Sequence, residues 1–136
     1  MKITELLVEG KESSETFVEI FKKFLPLAMK HIGLENLPKM VFITNVEDGK
    51  QPTFGMYDND EKTLYVALAN RHPNDILRTV AHELTHFKQD AEDSLVDTSG
   101  ETGSPHENEA NATAGIVMRH FNKKYPQYLK TRPIII

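Results

Sequence analysis

The chain has no cysteine. That absence removes disulfides, thiolate metal ligands and cysteine nucleophiles together, so any bound metal must be held by nitrogen and oxygen. Positive charge is also short: 16 Lys and Arg against 20 Asp and Glu give a formal charge of −4 and a pI near 5.8. Such a balance offers no broad attraction for phosphate backbones. The pairs Lys22-Lys23 and Lys123-Lys124 read as solvated helix faces, and no nucleic-acid partner is expected. No apolar run approaches the length needed to cross a bilayer, and Ile134, Ile135 and Ile136 are too few to act as an anchor. The first ten residues contain Glu5 and Glu9 and lack a long apolar stretch or a small-residue cleavage site, so no secretory signal is visible. A cytoplasmic setting is the expectation. There is no internal repeat and no low-complexity segment.

What the chain does carry is size and one motif. With 136 residues it is expected to form a single domain spanning 1–136, large enough to bury one core. Residues 82–86 read His-Glu-Leu-Thr-His. Two imidazoles four positions apart on a helix lie one turn from each other on the same face, which suits two corners of a tetrahedral zinc site. Glu83 then stands at the metal's edge, where a carboxylate that is not a ligand can take a proton from an activated water.

The context agrees with a helix. From Pro73 to about Ala91 the apolar residues Ile76, Leu77, Val80, Ala81, Leu84 and Phe87 fall on one side at helical spacing. His82 and His86 fall roughly 180–200° away at about 100° per residue. One face therefore feeds a core and the other an opening. Asn74 and Asp75, with Pro73 near the first turn, mark the helix start.

Around it, the spacing predicts a first helix from Ser13 or Ser14 to about Lys30, with Phe17, Ile20, Phe21, Phe24, Leu25 and Met29 inward, a kink at Pro26 and a stop at Gly33. Met40 to Thr44 reads as a buried strand and Asn45 to Pro52 as a turn-rich stretch. Phe54 to Asp58 and Thr63 to Leu68 read as two further strands, in which Leu64, Val66 and Leu68 alternate with Thr63, Tyr65 and Ala67. The implied fold class is α+β, with a small, mainly antiparallel sheet leading into the histidine helix. Ser94 to Gly103 reads as a loop near the metal. A last helix opens at Ser104-Pro105-His106-Glu107, a capping-box pattern, and runs to about Asn122.

Zinc on two histidines needs a third protein ligand and an open position. Glu92 lies six residues past His86 but points roughly 90° away on a continuing helix, and reads as a surface charge. Glu107 and Glu109 cannot both face the ion, since two helical positions differ by about 200°. The capping box claims Glu107. Glu109 precedes Ala110, Ala112, Ala114 and Gly115, small residues that allow close helix approach, and is the expected ligand. His106 is its rival. His120 lies too far along the helix, roughly 16 Å, to bind the same ion. His31 reads as a surface residue, and His72 as a turn residue or a cleft donor.

With its ligands laid out this way, the chain resembles the gluzincin metallopeptidases, in particular the small single-domain kind related to bacterial and phage enzymes that cleave repressors. The resemblance covers about Phe54 to Phe121 and rests on Phe54-Gly55-Met56-Tyr57, on Val80-Ala81-His82-Glu83-Leu84-Thr85-His86 and on Glu107-Asn108-Glu109-Ala110-Asn111. It implies a minimal zincin-like fold, a Zn2+ cofactor, Glu109 as ligand and Glu83 as general base. Thermolysin-like members carry an aspartate four residues after the ligand glutamate. Thr113 stands at that distance from Glu109.

The implied activity is hydrolysis of peptide bonds in a protein or peptide substrate, by a zinc-activated water whose proton Glu83 takes. An exposed strand, Phe54 to Tyr57 or Thr63 to Leu68, would hold an extended substrate. Tyr57, His72, His106, Tyr125 and Tyr128 are candidate oxyanion donors. Two other readings compete: a His₃ zinc protease using His106 that acts on DNA-associated proteins, and a non-catalytic zincin-like module that binds a partner protein.

Overall fold

The computed structural model describes residues 11–92, 101 and 103–135. Among these residues the architecture is α+β, with three α-helices and a small mixed sheet. The first helix, α1 (Lys11–Ile32), continues through an exposed Pro26 and ends where Gly33 takes φ +87°. Gly33 N and Leu34 N both donate to the Met29 carbonyl, which closes the last turn in the left-handed conformation that glycine adopts without strain.

The three-stranded sheet has the order β1 (Lys39–Ile43), β5 (Thr63–Ala67), β4 (Gly55–Asp58). Only the β4–β5 pair is antiparallel; β1 runs parallel to β5, with Met40 opposite Leu64 and Phe42 opposite Val66. The sheet is therefore mixed, with one pair of each sense. Parallel pairing needs a long connection, and residues 44–62 supply it. Part of that connection, expected as turns, forms a hairpin of β2 (Val46–Asp48) and β3 (Gln51–Thr53). Gly49 at φ +68° opens its two-residue turn, and Pro52 is tolerated because a two-stranded ribbon has only edges.

Alternation along the strands sets the core face. Met40, Phe42, Leu64 and Val66 are fully buried and point toward the helices. Phe17 and Phe21 of α1 meet Phe42 edge-on at ring centroid distances of 5.7 and 5.2 Å. Gly55 and Tyr57, opposite Val66 and Leu64, share this face and lie against the histidine helix α2 (Pro73–Ala91).

α2 is the hub, in contact with α1, β4, β5 and the closing helix α3 (Pro105–Lys124). Its bounds match the sequence expectation, and Ile76, Leu77, Val80, Ala81 and Leu84 are all fully buried. The N-cap, however, is His72, whose Nδ1 accepts the Asn74 N–H at 3.0 Å. The tail, after a 3₁₀ turn (Pro126–Lys130), returns so that Ile134 bridges Arg71 and buries its side chain in the core. Among the described residues no helix is long and apolar enough to cross a membrane. Most of the expected loop, Ser94 to Gly103, lies outside the described residues.

Candidate metal centre

The polar face of α2 meets the first turn of α3. His82 and His86, one helical turn apart, carry their rings 4.9 Å from each other in an edge arrangement. The Glu107 carboxylate stands between them: Oε1 lies 2.9 Å from His82 Nε2, and Oε2 lies 3.0 Å from His86 Nε2. One ligand atom from each of these three residues lies within 4.8 Å of the other two. They are the one such group among the described residues. Neither Glu109 nor His106, the two candidates for third ligand, belongs to it.

The physical reason lies in the phase of α3. Its buried stripe runs through Ala110, Ala114, Val117, Met118 and Phe121. Glu107 precedes Ala110 by three positions and Ala114 by seven, so it continues that stripe toward α2. Glu109 falls on the exposed side with Ile116 and His120. The capping box forms only by half. Ser104 Oγ accepts the Glu107 N–H at 3.1 Å, while the Ser104 N–H donates to the Glu101 carbonyl at 3.0 Å, and the Glu107 carboxylate turns to the histidines instead.

A web of carboxamides supports this cluster. Gln89, buried one turn beyond His86, takes the imidazole Nδ1 with its Oε1 at 2.7 Å, which leaves Nε2 directed at Glu107. Its Nε2 donates to the His106 carbonyl at 3.0 Å and to Glu109 Oε1 at 2.8 Å. Glu109 thus lies behind the group of His82, His86 and Glu107 rather than within it. Asn111, four residues after Glu107, is a side-chain hydrogen-bond partner of His82. Partners of this kind fix the tautomer and orientation of a metal-binding imidazole.

Electrostatics favour unprotonated imidazole with a lone pair to give. Burial pulls the His82 pKa below its ordinary value, opposed by Glu107 and reinforced by His86. Glu83 sits beneath β4, where the Tyr57 N–H donates to it, and its Oε1 lies 3.9 Å from His82 Nε2. Burial first, then the charges of Glu107 and Asp48, push its carboxyl up to about 8. The group is therefore poised to hold or release a proton near neutrality.

Two imidazole nitrogens and one carboxylate form a donor set suited to Zn2+. Ligands about 2.0–2.1 Å from a tetrahedral ion stand roughly 3.3 Å from each other. Each Nε2 stands 2.9 or 3.0 Å from its own Glu107 oxygen, within a few tenths of that spacing, and the whole group lies within 4.8 Å, so the side chains draw together to share one ion. The open side faces a cleft of about 520 Å³ walled by β3, β4 and α2. Phe54, exposed at 66%, stands at its rim with the Arg71 guanidinium 4.4 Å from its ring. Among the described residues Arg78, one turn before His82, is the one basic side chain besides the histidines that lines it. The 78, 82, 86 spacing puts it on the histidine face of α2.

Of the candidate oxyanion donors, Tyr57 lines the cleft, with its hydroxyl donated to Asp90 Oδ2 at 2.5 Å. Tyr125 and Tyr128 pack instead around Phe121 near the far end of α3. His72 is held as the α2 cap, His120 stacks on His31 away from the cleft, and Glu92 is exposed at the α2 C-cap. Comparison with protein-family models, with curated protein sequences and with solved structures finds no match to this chain.

Proposed function

We propose that the chain is a zinc metallopeptidase that hydrolyses peptide bonds, with zinc held by His82, His86 and Glu107 and with Glu83 as general base. The observation that carries this reading is the gathering of His82 Nε2, His86 Nε2 and the Glu107 carboxylate within 4.8 Å of one another at an open cleft, beside a buried carboxylate that is not itself part of the group. When bound, zinc supplies Lewis-acid polarisation of the scissile carbonyl and a lowered pKa for the attacking water.

The chain's own residues do the remaining work. Glu83, anchored by the Tyr57 N–H, takes the water's proton and delivers it to the leaving amine. Gln89 and Asn111 keep the two imidazoles aimed. β5 is paired on both sides and cannot accept another strand, whereas β4 ends the sheet along the cleft. An extended substrate therefore adds to Gly55–Asp58, by main-chain hydrogen bonds. Arg78 on the opposite wall favours an anionic group of the substrate.

The test pairs composition with turnover. Purified protein should bind one Zn2+ per chain, and Glu83→Gln should keep that ion while losing cleavage of a casein-like unfolded substrate or of a peptide library. Zinc binding with undiminished cleavage by Glu83→Gln would refute the assigned base. A protein that takes up no zinc from a chelator-free solution would end the proposal.

A further inference from the structure

The lysine pairs that read as separate solvated faces in sequence are brought together by the fold. A second groove, of about 670 Å³, lies between α1 and the C-terminal end of α3. Lys22, Lys23 and Lys30 line it from α1, Lys123 and Lys124 from α3, so five of the chain's 16 basic residues share one concavity. Among the described residues no carboxylate lines it. Glu19, at its margin, stands 3.8 Å from Lys23 and accepts the Tyr128 hydroxyl at 3.5 Å. Among the described residues Lys22, Lys30, Lys123 and Lys124 have no ion-pair partner.

Helix dipoles account for part of this charge, because Lys30, Lys123 and Lys124 occupy last turns. They do not account for Lys22 and Lys23, which lie ten and nine residues before the end of α1. Nor does solubility, in a chain whose net charge is −4. The spacing 22, 26, 30 and 23, 27, 31 sets two rows of one helix face along the groove.

Flat ring surface accompanies the charge. His31 and His120 stack at 4.1 Å with 13° between their planes, joining α1 to α3. Tyr125 lines the same groove, with Lys23 and Lys124 ammonium groups 5.7 and 5.5 Å from its ring. Ammonium groups along a channel with ring faces between them suit a phosphodiester strand with unpaired bases. An acidic peptide would satisfy the lysines but has nothing to lay on the rings. The cations are all lysine, point charges that neutralise phosphate without the bidentate geometry that reads base edges.

We infer that the α1–α3 groove binds single-stranded nucleic acid, its phosphates on the lysines and its bases on the groove's rings, without sequence selection. The site is remote from the metal centre: Glu107 and Lys123 stand at opposite ends of α3, about 24 Å apart along its axis. The inference therefore does not depend on the peptidase reading.

The test is fluorescence anisotropy with a labelled 20-mer oligothymidylate, competed by polyglutamate and by inorganic polyphosphate of matched charge. With three to five phosphates neutralised, a slope of about −0.7 per phosphate predicts that affinity falls about 20- to 100-fold between 50 and 200 mM salt. The doubly substituted Lys22→Gln, Lys123→Gln chain, altered only at exposed positions, should bind at least tenfold more weakly, with a slope shallower by about 1.4. Both competitors should displace the oligonucleotide poorly. Equal affinity for either competitor, an unaltered double variant, or no binding at 50 mM salt would overturn the inference.

Discussion

Removing each of two neighbouring glutamates should weaken zinc to very different extents. Glu107 offers one oxygen to each histidine, at 2.9 and 3.0 Å, whereas Glu109 reaches the cluster only through Gln89, at 2.8 Å. Loss of a side chain that merely orients a ligand typically costs 10–100-fold in metal affinity. Loss of a ligand must exceed that range, so Glu107→Ala should weaken zinc by more than about 100-fold, which corresponds to about 2.8 kcal/mol. Glu109 stands one step further out. In Glu109→Ala the Gln89 amide keeps its bond to the His106 carbonyl at 3.0 Å, so His86 remains aimed and the loss should stay under about tenfold. Zinc affinities measured by competition with a chromophoric chelator, with circular dichroism to establish folding, read both variants on one scale. If Glu109→Ala lost its zinc while Glu107→Ala kept it, the ligand set argued from the phase of α3 would be wrong.

Other substitutions probe the supports of the site. Gln89→Leu leaves His86 Nδ1 without its buried acceptor and should lower zinc affinity by about 10–100-fold in the same assay; an unchanged affinity would show that Gln89 orients nothing. A Cβ at Gly55 would meet Thr79 Cγ2 at less than van der Waals separation and press on Glu83 Cγ at 3.4 Å, so Gly55→Ala should cost about 1–3 kcal/mol in urea unfolding. Gly115→Ala is the counterpart: its nearest neighbour is Arg78 Nη1 at 4.0 Å, and a helix-interior alanine there should add about 0.5–1 kcal/mol. A destabilised Gly115→Ala, or a neutral Gly55→Ala, would contradict these packing distances. Phe121 is fully buried between Phe24 and the tyrosines of the tail, and Phe121→Ala should cost about 3–5 kcal/mol. Less than 1 kcal/mol would mean that α3 is not anchored there.

What sequence could reveal divides along the range of the interactions involved. The bounds of α2, its buried side and the inward residues of β5 follow from periodicity over a few turns or a few strand residues, and they stand as read. The stop at Gly33 is equally local. Parallel pairing of β1 with β5 joins Lys39 to Thr63 across an intervening hairpin, and no local pattern distinguishes it from a meander. The meeting of Lys22-Lys23 with Lys123-Lys124 is of the same kind, a product of α1 packing on α3 a hundred residues later.

Glu107 is the instructive case, because its position was legible and a different local rule hid it. Ser104 followed by Glu107 matches the capping box, and that match assigned the carboxylate to the helix end. A capping box offers about the energy of one hydrogen bond, whereas the stripe of Ala110, Ala114, Val117, Met118 and Phe121 fixes which way the whole helix faces. Extending that stripe backward by three and seven residues leads to Glu107 and away from Glu109, and it is Glu107 that meets His82 and His86. When a terminal motif and a helix-long apolar phase compete for one side chain, the phase decides, since rotating α3 to satisfy Glu109 would expose the core residues that hold it against α2.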